Sequence, residues 1–302
     1  MDALLEDVLR ADNLPSPSSV ALEIVRLTRS MDTDPSDLGR LIATDPAIAA
    51  RVIRVVNAPT YGVRRRVASI EQAVGLLGFR AVSRIALSFS VLDRNRAGVQ
   101  EFDYDAFWGE CLAVSVAAGA VARRTGRAAP DEAFTYGLLS GTGRLALVTV
   151  YSERYRDLLL TLGSATPDEL ADAERAVFCV DAEELSAHMM DSWGMPALRD
   201  ALQSESEPGA APECERERER SEDVLRHVRV AAKLGRVLVD PAAHRDQLAE
   251  LVRSLEGLGL GAEQLSPLFA AVAEAYQETG SLLEIPTRDV PSLAEVYAQA
   301  TP

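Results

Sequence analysis

The 302-residue sequence predicts an all-α protein, and three features support that prediction. Apolar residues recur at helical spacing and form single stripes, as do Phe79, Val82, Ile85, Ala86 and Phe89. The pairs Asp34-Pro35 and Asp45-Pro46 each place a capping carboxylate before a proline, which is typical of a helix N-terminus. No segment alternates between apolar and polar residues for long enough to build a sheet.

The first hundred residues carry the signals of several short helices. Prolines within 14–18 precede an amphipathic run. The helix that begins at Pro46 is predicted to end at 57–62, where proline and glycine interrupt it. Ser69 precedes the next predicted helix, and Gly78 separates that helix from the one that follows.

From about residue 103 the predicted helices are longer and more acidic. One helix covers 107–124, and a motif around Ser140 joins the next two. The polar segment 204–219 has no apolar pattern and is predicted to be a loop. Other helices are predicted to start at Pro167 and Asp181 and to lie near 221–238, 243–256 and 263–277.

Charge is distributed unevenly, which predicts two regions with different surfaces. Residues 1–100 hold 13 arginines and 11 acidic residues, a net charge of +2. Residues 101–302 hold 18 basic and 35 acidic residues, a net charge of −17, so the whole chain carries −15. The predicted regions are an N-terminal helical subdomain, a second helical subdomain and a tail that either packs back or extends free, with bounds 1–100, 101–278 and 279–302. The overall negative charge disfavours nucleic acid and anionic membranes as partners.

The sequence also predicts a cytoplasmic protein without a metal or cofactor. The three cysteines lie far apart and form no C-x-x-C pair, so neither a zinc site nor a disulfide framework is expected. The acidic N-terminus lacks the basic start of a signal peptide. No run of about 18 apolar residues is present, and the small-residue stretch 113–122 is predicted to be a buried core helix rather than a membrane span.

One motif indicates an ancestry in metal-dependent chemistry. The segment Gly137-Leu138-Leu139-Ser140-Gly141-Thr142-Gly143-Arg144-Leu145 resembles the Gly-Leu-Leu-His-Asp-Ile-Gly-Arg/Lys-Leu stretch of the HD phosphohydrolase superfamily. In those enzymes the His-Asp pair binds the catalytic metal, and here the pair is replaced by Ser140-Gly141. A hydroxyl and a glycine cannot replace an imidazole and a carboxylate as metal ligands.

Further landmarks resemble the HDOD domain, a non-catalytic relative of the HD superfamily. Those landmarks occur in the family's order and span roughly Leu14 to Gln277; they are Leu14-Pro15, Asp45-Pro46-Ala47, Asn57–Gly62, Ser69–Gly78, Phe107-Trp108, Gly137–Leu139 and Trp193–Pro196. The resemblance implies that 1–100 is the N-terminal HDOD subdomain and that 101–278 is a degenerate HD-type helical bundle. It also implies a role in bacterial signal transduction.

The resemblance implies that the positions of the HD metal ligands are degenerate. The residues at these positions are Glu110, Ser140, Gly141, Ala182, Glu205 and Ala232. The only histidines are His188, His227 and His244, and none of them falls at such a position. Two carboxylates without imidazoles make a weak metal site, so the sequence predicts no metal-dependent hydrolysis and no catalytic residue.

Arginines are concentrated between residues 45 and 86, where only Asp45 and Glu71 oppose them. They are Arg51, Arg54, Arg64, Arg65, Arg66, Arg80 and Arg84. Because guanidinium groups recognise carboxylates and phosphates, three interpretations stay open. The cluster is a solvated basic surface, a docking site for an acidic protein segment, or a phosphate site for a nucleotide or nucleic acid.

The predicted function is therefore that of a non-catalytic regulatory module, a bacterial signalling adaptor whose partner is another signalling protein. The alternative is a receptor that binds a nucleotide or cyclic dinucleotide without hydrolysing it, either in the degenerate HD pocket or at the arginine cluster.

Overall fold

The computed structural model describes most of the chain as α-helix. The described residues are 34–57, 66–92, 99–163, 165–192, 212–239, 245–283 and 285–299, with the isolated positions 8, 11, 20, 23, 24, 26 and 27. Within them the helices are α1 Pro35–Ala43, α2 Pro46–Val56, α3 Ile70–Leu77, α4 Phe79–Leu92, α5 Tyr104–Thr125, α6 Pro130–Leu139, α7 Thr142–Val150, α8 Ser152–Leu162, α9 Pro167–Phe178, α10 Ala182–Ser192, α11 Pro212–Val239, α12 Arg245–Gly257, α13 Ala262–Leu283 and α14 Leu293–Gln299. The all-α prediction is confirmed.

Capping residues explain where several helices begin. The Asp34 carboxylate accepts a hydrogen bond from the Ser36 N–H at 2.8 Å, and the Ser69 hydroxyl accepts one from the Gln72 N–H at 3.2 Å. Each bond satisfies a backbone donor that the first turn of a helix leaves without a partner. The Asp34 cap is the one that the sequence predicts.

Helix α5 is the centre of the fold. It packs against α6, α11 and α13, and the side chains of its middle turns are buried on nearly every face. Two glycines let its neighbours approach closely. A Cβ on Gly137 would lie 2.8 Å from the Ser115 Cα, and one on Gly235 would lie 3.2 Å from the Val114 N. Because neither position has room for a side chain, α6 and α11 can lie directly against the backbone of α5.

The prediction that no segment is long and apolar enough to span a membrane is wrong for α5. This helix has 22 residues and meets that criterion by length and composition. It is nevertheless 78% buried within the protein over its most apolar stretch. The expectation that 113–122 belongs to a buried core helix is therefore correct.

A continuous cluster of buried apolar side chains runs from Ile24 to Val296 and joins α1–α4 to α5, α6, α11 and α13. A second cluster lies beneath α7–α10 and is centred on Tyr155 and Phe178, whose rings stack 6.0 Å apart. Because the larger cluster draws side chains from both predicted subdomains, the core itself does not mark a boundary at residue 100, and that boundary stays a prediction.

In the C-terminal part of the chain, the start of α11 differs from the sequence prediction, and the path of the chain after α13 decides between its two alternatives. Helix α11 begins at Pro212, inside the segment predicted to be a loop, because strong helix formers continue the helix backwards from its buried part. After α13 the chain packs back onto the protein. Gln277 donates a hydrogen bond to the Arg288 carbonyl at 2.6 Å, and Val296 is only 2% exposed.

Candidate functional site

The junction between α6 and α7 contains the Ser140-Gly141 pair. The hydroxyl groups of Ser140 and Thr142 form hydrogen bonds with nearby backbone carbonyls. The Ser140 hydroxyl donates to the Gly137 carbonyl at 2.7 Å. The Thr142 hydroxyl donates to the Leu139 carbonyl, also at 2.7 Å. These bonds satisfy carbonyls at the end of α6 that have no partner further along the helix. Ser140 therefore helps to end a helix.

Side chains of α5 occupy the space beside Gly141. A Cβ at this position would lie 2.5 Å from the Cys111 Sγ and 3.0 Å from two ring carbons of Phe107. Burial, with a smaller contribution from the Glu110 carboxylate, raises the pKa of the Cys111 thiol to about 12, so the group is neutral at physiological pH. The position that holds an aspartate in HD enzymes thus has no room for a carboxylate.

Helix α10 closes the other side of the junction. The Gly143 N–H donates to the Ser186 hydroxyl at 2.8 Å, and that hydroxyl lies 2.7 Å from the carbonyl oxygens of Ser140 and Ala182. A Cβ on Gly143 would lie 2.2 Å from the Ala182 carbonyl oxygen. The region around Ala182, which the sequence predicts to be a degenerate HD position, is therefore filled by close backbone packing.

A buried ionic network fixes the same junction from beneath. Glu174 has a fully buried side chain whose Oε1 accepts hydrogen bonds from Arg144 Nε at 3.1 Å and from the Tyr155 hydroxyl at 2.7 Å. Its Oε2 accepts one from the Ala182 N–H at 2.9 Å. Burial lowers the pKa of Arg144, but the Glu174 carboxylate and Tyr155 outweigh this effect and raise it. Arg144 therefore remains charged and paired.

Among the residues that the structure describes, the remaining predicted HD positions do not complete a metal site. Glu110 is exposed and lines a cavity of about 160 Å³ together with Asp103, Asp105 and Arg288. Ala232 is a half-buried residue of α11, and Glu205 lies outside the described residues. Across the part of the chain that the structure describes, no group of three or more His, Cys, Asp or Glu side chains could hold a metal ion. The described residues therefore do not offer the ligands that the metal of the HD superfamily would need.

The arginine cluster is only partly described. Arg54, Arg66 and Arg80 are exposed, whereas Arg51 is half-buried. Arg84 lies on α4, but its side chain is outside the description, as are Arg64 and Arg65 altogether. The site prediction for these residues stays a prediction.

The Asn57 side chain fixes the backbone at Val67, directly after Arg66. Its Nδ2 donates to the carbonyls of Ile53 and Val67, and its Oδ1 accepts from the Val67 N–H, each at 2.8 Å. Because the N–H and the carbonyl of Val67 both form hydrogen bonds with the Asn57 side chain, Arg66 is held beside the last turn of α2, which carries Arg54. The sequence identified Asn57 as a landmark without revealing this clamp.

An exposed leucine lies close to these arginines in the chain. Leu76 is 53% exposed near the end of α3, and Arg80 follows at the start of α4. A single exposed apolar side chain is common on folded proteins, so Leu76 does not by itself mark a binding surface.

Comparisons with known proteins agree with the fold and identify its family. The model of the HDOD domain family matches residues 14–208. An uncharacterized protein of Treponema pallidum (strain Nichols) is 25% identical over 189 residues, which are 62% of this chain and 36% of that protein. The chain thus spans about a third of the length of that curated relative.

Two crystal structures share the fold at low sequence identity. An HDOD domain protein of unknown function from Geobacter sulfurreducens is 18% identical, with 93% of this chain and 98% of that one covered and a TM-score of 0.68. A protein from Shewanella amazonensis SB2B, provisionally named a phosphohydrolase, is 23% identical, with 93% and 98% covered and a TM-score of 0.66. Because the HDOD family model matches most of its length, this chain belongs to the HDOD domain family.

Proposed function

We propose that this protein is a non-catalytic signalling adaptor of the bacterial cytoplasm, which acts by binding another signalling protein. The observation that carries the proposal is the packing at Gly141, where Cys111 and Phe107 occupy the space that a metal-binding aspartate would need. An active site can lose one ligand and regain it by substitution. Here the surrounding side chains have filled the site, so the degenerate motif supports the core rather than a reaction.

The likeness to a protein provisionally named a phosphohydrolase does not oppose this proposal. At 23% identity it speaks for the fold alone. Function depends on the site, and Ser140 bonds to the Gly137 carbonyl while Ala182 is packed against Gly143. Metal-dependent hydrolysis needs donor atoms that converge on open space, which these two positions do not offer.

The docking surface that we propose comprises the exposed residues Arg54, Arg66, Leu76 and Arg80, together with Arg64 and Arg65. Its partner is an acidic segment of another protein, because guanidinium groups bind carboxylates and Leu76 offers an apolar anchor. Exposed ion pairs contribute only about 0–1 kcal/mol each, so we expect the charges to act mainly on association rate and selectivity. Binding should therefore weaken as salt concentration rises.

The second candidate is a nucleotide or cyclic-dinucleotide receptor, and the arginines favour it because they suit phosphates. The two cavities described in this structure have volumes of about 150 and 160 Å³. Pockets for drug-sized ligands occupy about 300–1,000 Å³. Neither of these two cavities would therefore hold a nucleotide, and the charge of the arginine surface makes it the better candidate for one.

Affinity capture from the native host tests the proposal. The wild-type chain should recover a specific acidic protein at low salt, and glutamate substitutions at Arg64, Arg65 and Arg66 should abolish that recovery. Arg253→Glu, which reverses an exposed arginine on α12, is the matched control and should leave recovery unchanged. Equal loss in both variants, or loss in neither, would remove the basic surface from the proposal. In a parallel thermal-shift panel, a saturable nucleotide shift would favour the receptor.

A further inference from the structure

A cavity of about 150 Å³ lies where the N-terminal helices meet the central bundle. Val55 of α2 and Ile85 of α4 line one side. Val116 of α5, Phe134 of α6 and Leu283 of α13 line the others. The wall is therefore mainly apolar and is assembled from five helices, so a molecule in this cavity would contact both halves of the fold at once.

Gly119 keeps this cavity open and brings a cation to it. A Cβ on Gly119 would lie 3.3 Å from the Pro130 carbonyl oxygen and 3.5 Å from a terminal guanidinium nitrogen of Arg123. The Arg123 side chain thus folds back over Gly119 towards the cavity that it lines. A glycine within a helix costs about 1 kcal/mol relative to alanine, and here it leaves room that a side chain would occupy.

The polar groups of the cavity define the chemistry of a ligand. Arg123 supplies a permanent positive charge with forked donors, and Ser88 and Thr279 each supply a hydroxyl. A ligand with one carboxylate and an apolar body would match both the forked donors of Arg123 and the apolar wall. Size sets a further limit, since a cavity of about this volume accommodates a molecule as large as benzene.

We propose that this cavity binds a small monocarboxylate whose apolar part is about the size of a benzene ring, and that the ligand acts as an effector by bridging α2 and α4 to α5, α6 and α13. This site is separate from the docking surface proposed above, so the two proposals can fail independently. Bound ligand stabilises the contact between the N-terminal helices and the bundle, because it binds the folded arrangement and not the unfolded chain.

Benzoate tests the proposal against the uncharged benzyl alcohol, with the full chain and detection by saturation-transfer NMR and calorimetric titration. Benzoate should bind with a millimolar or lower dissociation constant and more tightly than benzyl alcohol. Arg123 is exposed, so Arg123→Gln should raise the benzoate dissociation constant about twofold to fivefold, since an exposed ion pair contributes up to about 1 kcal/mol. The matched control is Arg124→Gln, which changes an exposed neighbour that does not line the cavity and should leave binding unchanged.

A second variant fills the cavity without touching its charge. Ala275 is half-buried in the cavity wall, and Ala275→Leu should abolish benzoate binding while the variant still unfolds cooperatively. No binding to the folded wild type would overturn the proposal. Equal binding by the Arg123 and Arg124 variants, or undiminished binding to a folded Ala275→Leu variant, would overturn it as well.

Discussion

Replacing Gly141 by alanine should destabilise the protein, although alanine is normally the better helix former. The backbone at Gly141 has φ −85° and ψ −6°, a right-handed helical conformation that any residue adopts, so glycine is not required by the backbone. The added Cβ would, however, lie 2.5 Å from the Cys111 Sγ, about 1 Å inside ordinary contact distance. Overpacking of this kind costs about 1–3 kcal/mol.

Urea unfolding of four proteins measures this effect and its cause: wild type, Gly141→Ala, Cys111→Ala and the double variant. The midpoint for Gly141→Ala should fall with an unchanged slope, which indicates a loss of stability rather than a change in the unfolded state. Because removing the sulfur makes room for the new methyl group, the double variant should be more stable than the sum of the single changes predicts, by about 1 kcal/mol. Gly141→Asp should be more destabilising than Gly141→Ala, since it also buries a charge.

Two results would refute this reasoning. A Gly141→Ala protein as stable as the wild type would show that the junction has free space. Strictly additive effects of the Gly141 and Cys111 substitutions would show that the two side chains do not compete for the same volume.

Three further predictions concern the residues that hold the site in place. Glu174→Gln should lower the free energy of unfolding by about 2–4 kcal/mol, because it leaves Arg144 beside the core without a counter-charge. Asn57→Ala should cost about 2–3 kcal/mol through three lost hydrogen bonds and should speed proteolysis between α2 and α3. Hydrogen bonds from the Thr166 N–H and hydroxyl lower the pKa of Glu169 in the folded protein. The Glu169 carboxylate therefore stabilises the fold above the pKa it has in the unfolded chain, and this stabilisation is lost as pH falls through its folded pKa. The loss of unfolding free energy in Glu169→Gln, measured between pH 7 and pH 3, should shrink as pH falls.

The predictions for Glu174 and Asn57 each have a matched control. Asp172→Asn changes an exposed acid on the same helix as Glu174 and should have an effect below about 1 kcal/mol. Gln72→Ala removes an exposed side-chain hydrogen bond near Asn57 and should leave proteolysis unchanged. A Glu174→Gln variant as stable as its control would show that Arg144 needs no buried partner, and a deficit of Glu169→Gln that grew towards pH 3 would contradict the sign of the pKa shift.

The helical fold could be predicted because its signals are local. Asp34 and Ser69 cap helices through bonds to residues two or three positions away, so their roles are visible in the sequence. The Ser140-Gly141 pair could be recognised as degenerate for the same reason. The start of α11 was missed because its first turns are polar, and a polar segment shows no apolar period even when it is helical.

The closed packing around the junction could not be predicted, because it depends on residues far apart in the chain. Glu174 and Tyr155 lie 30 and 11 positions from Arg144, and no pattern links the three before the fold brings them together. The only signal was an arginine inside a motif that has no other charged residue, since a buried cation needs a counter-ion. The overlap of Gly141 with Cys111 likewise requires the crossing of α5 and the α6–α7 junction.

The most direct test of the central claim is an assay of manganese-dependent hydrolysis of bis(p-nitrophenyl) phosphate by the purified full-length chain, with Glu110→Gln alongside. The account predicts that the wild type and the variant are indistinguishable and do not exceed the rate with manganese alone, because the space for a metal-binding carboxylate beside Gly141 is filled by Cys111 and Phe107. Saturable, manganese-dependent turnover by the wild type that is lost in Glu110→Gln would contradict it and would establish a working metal site.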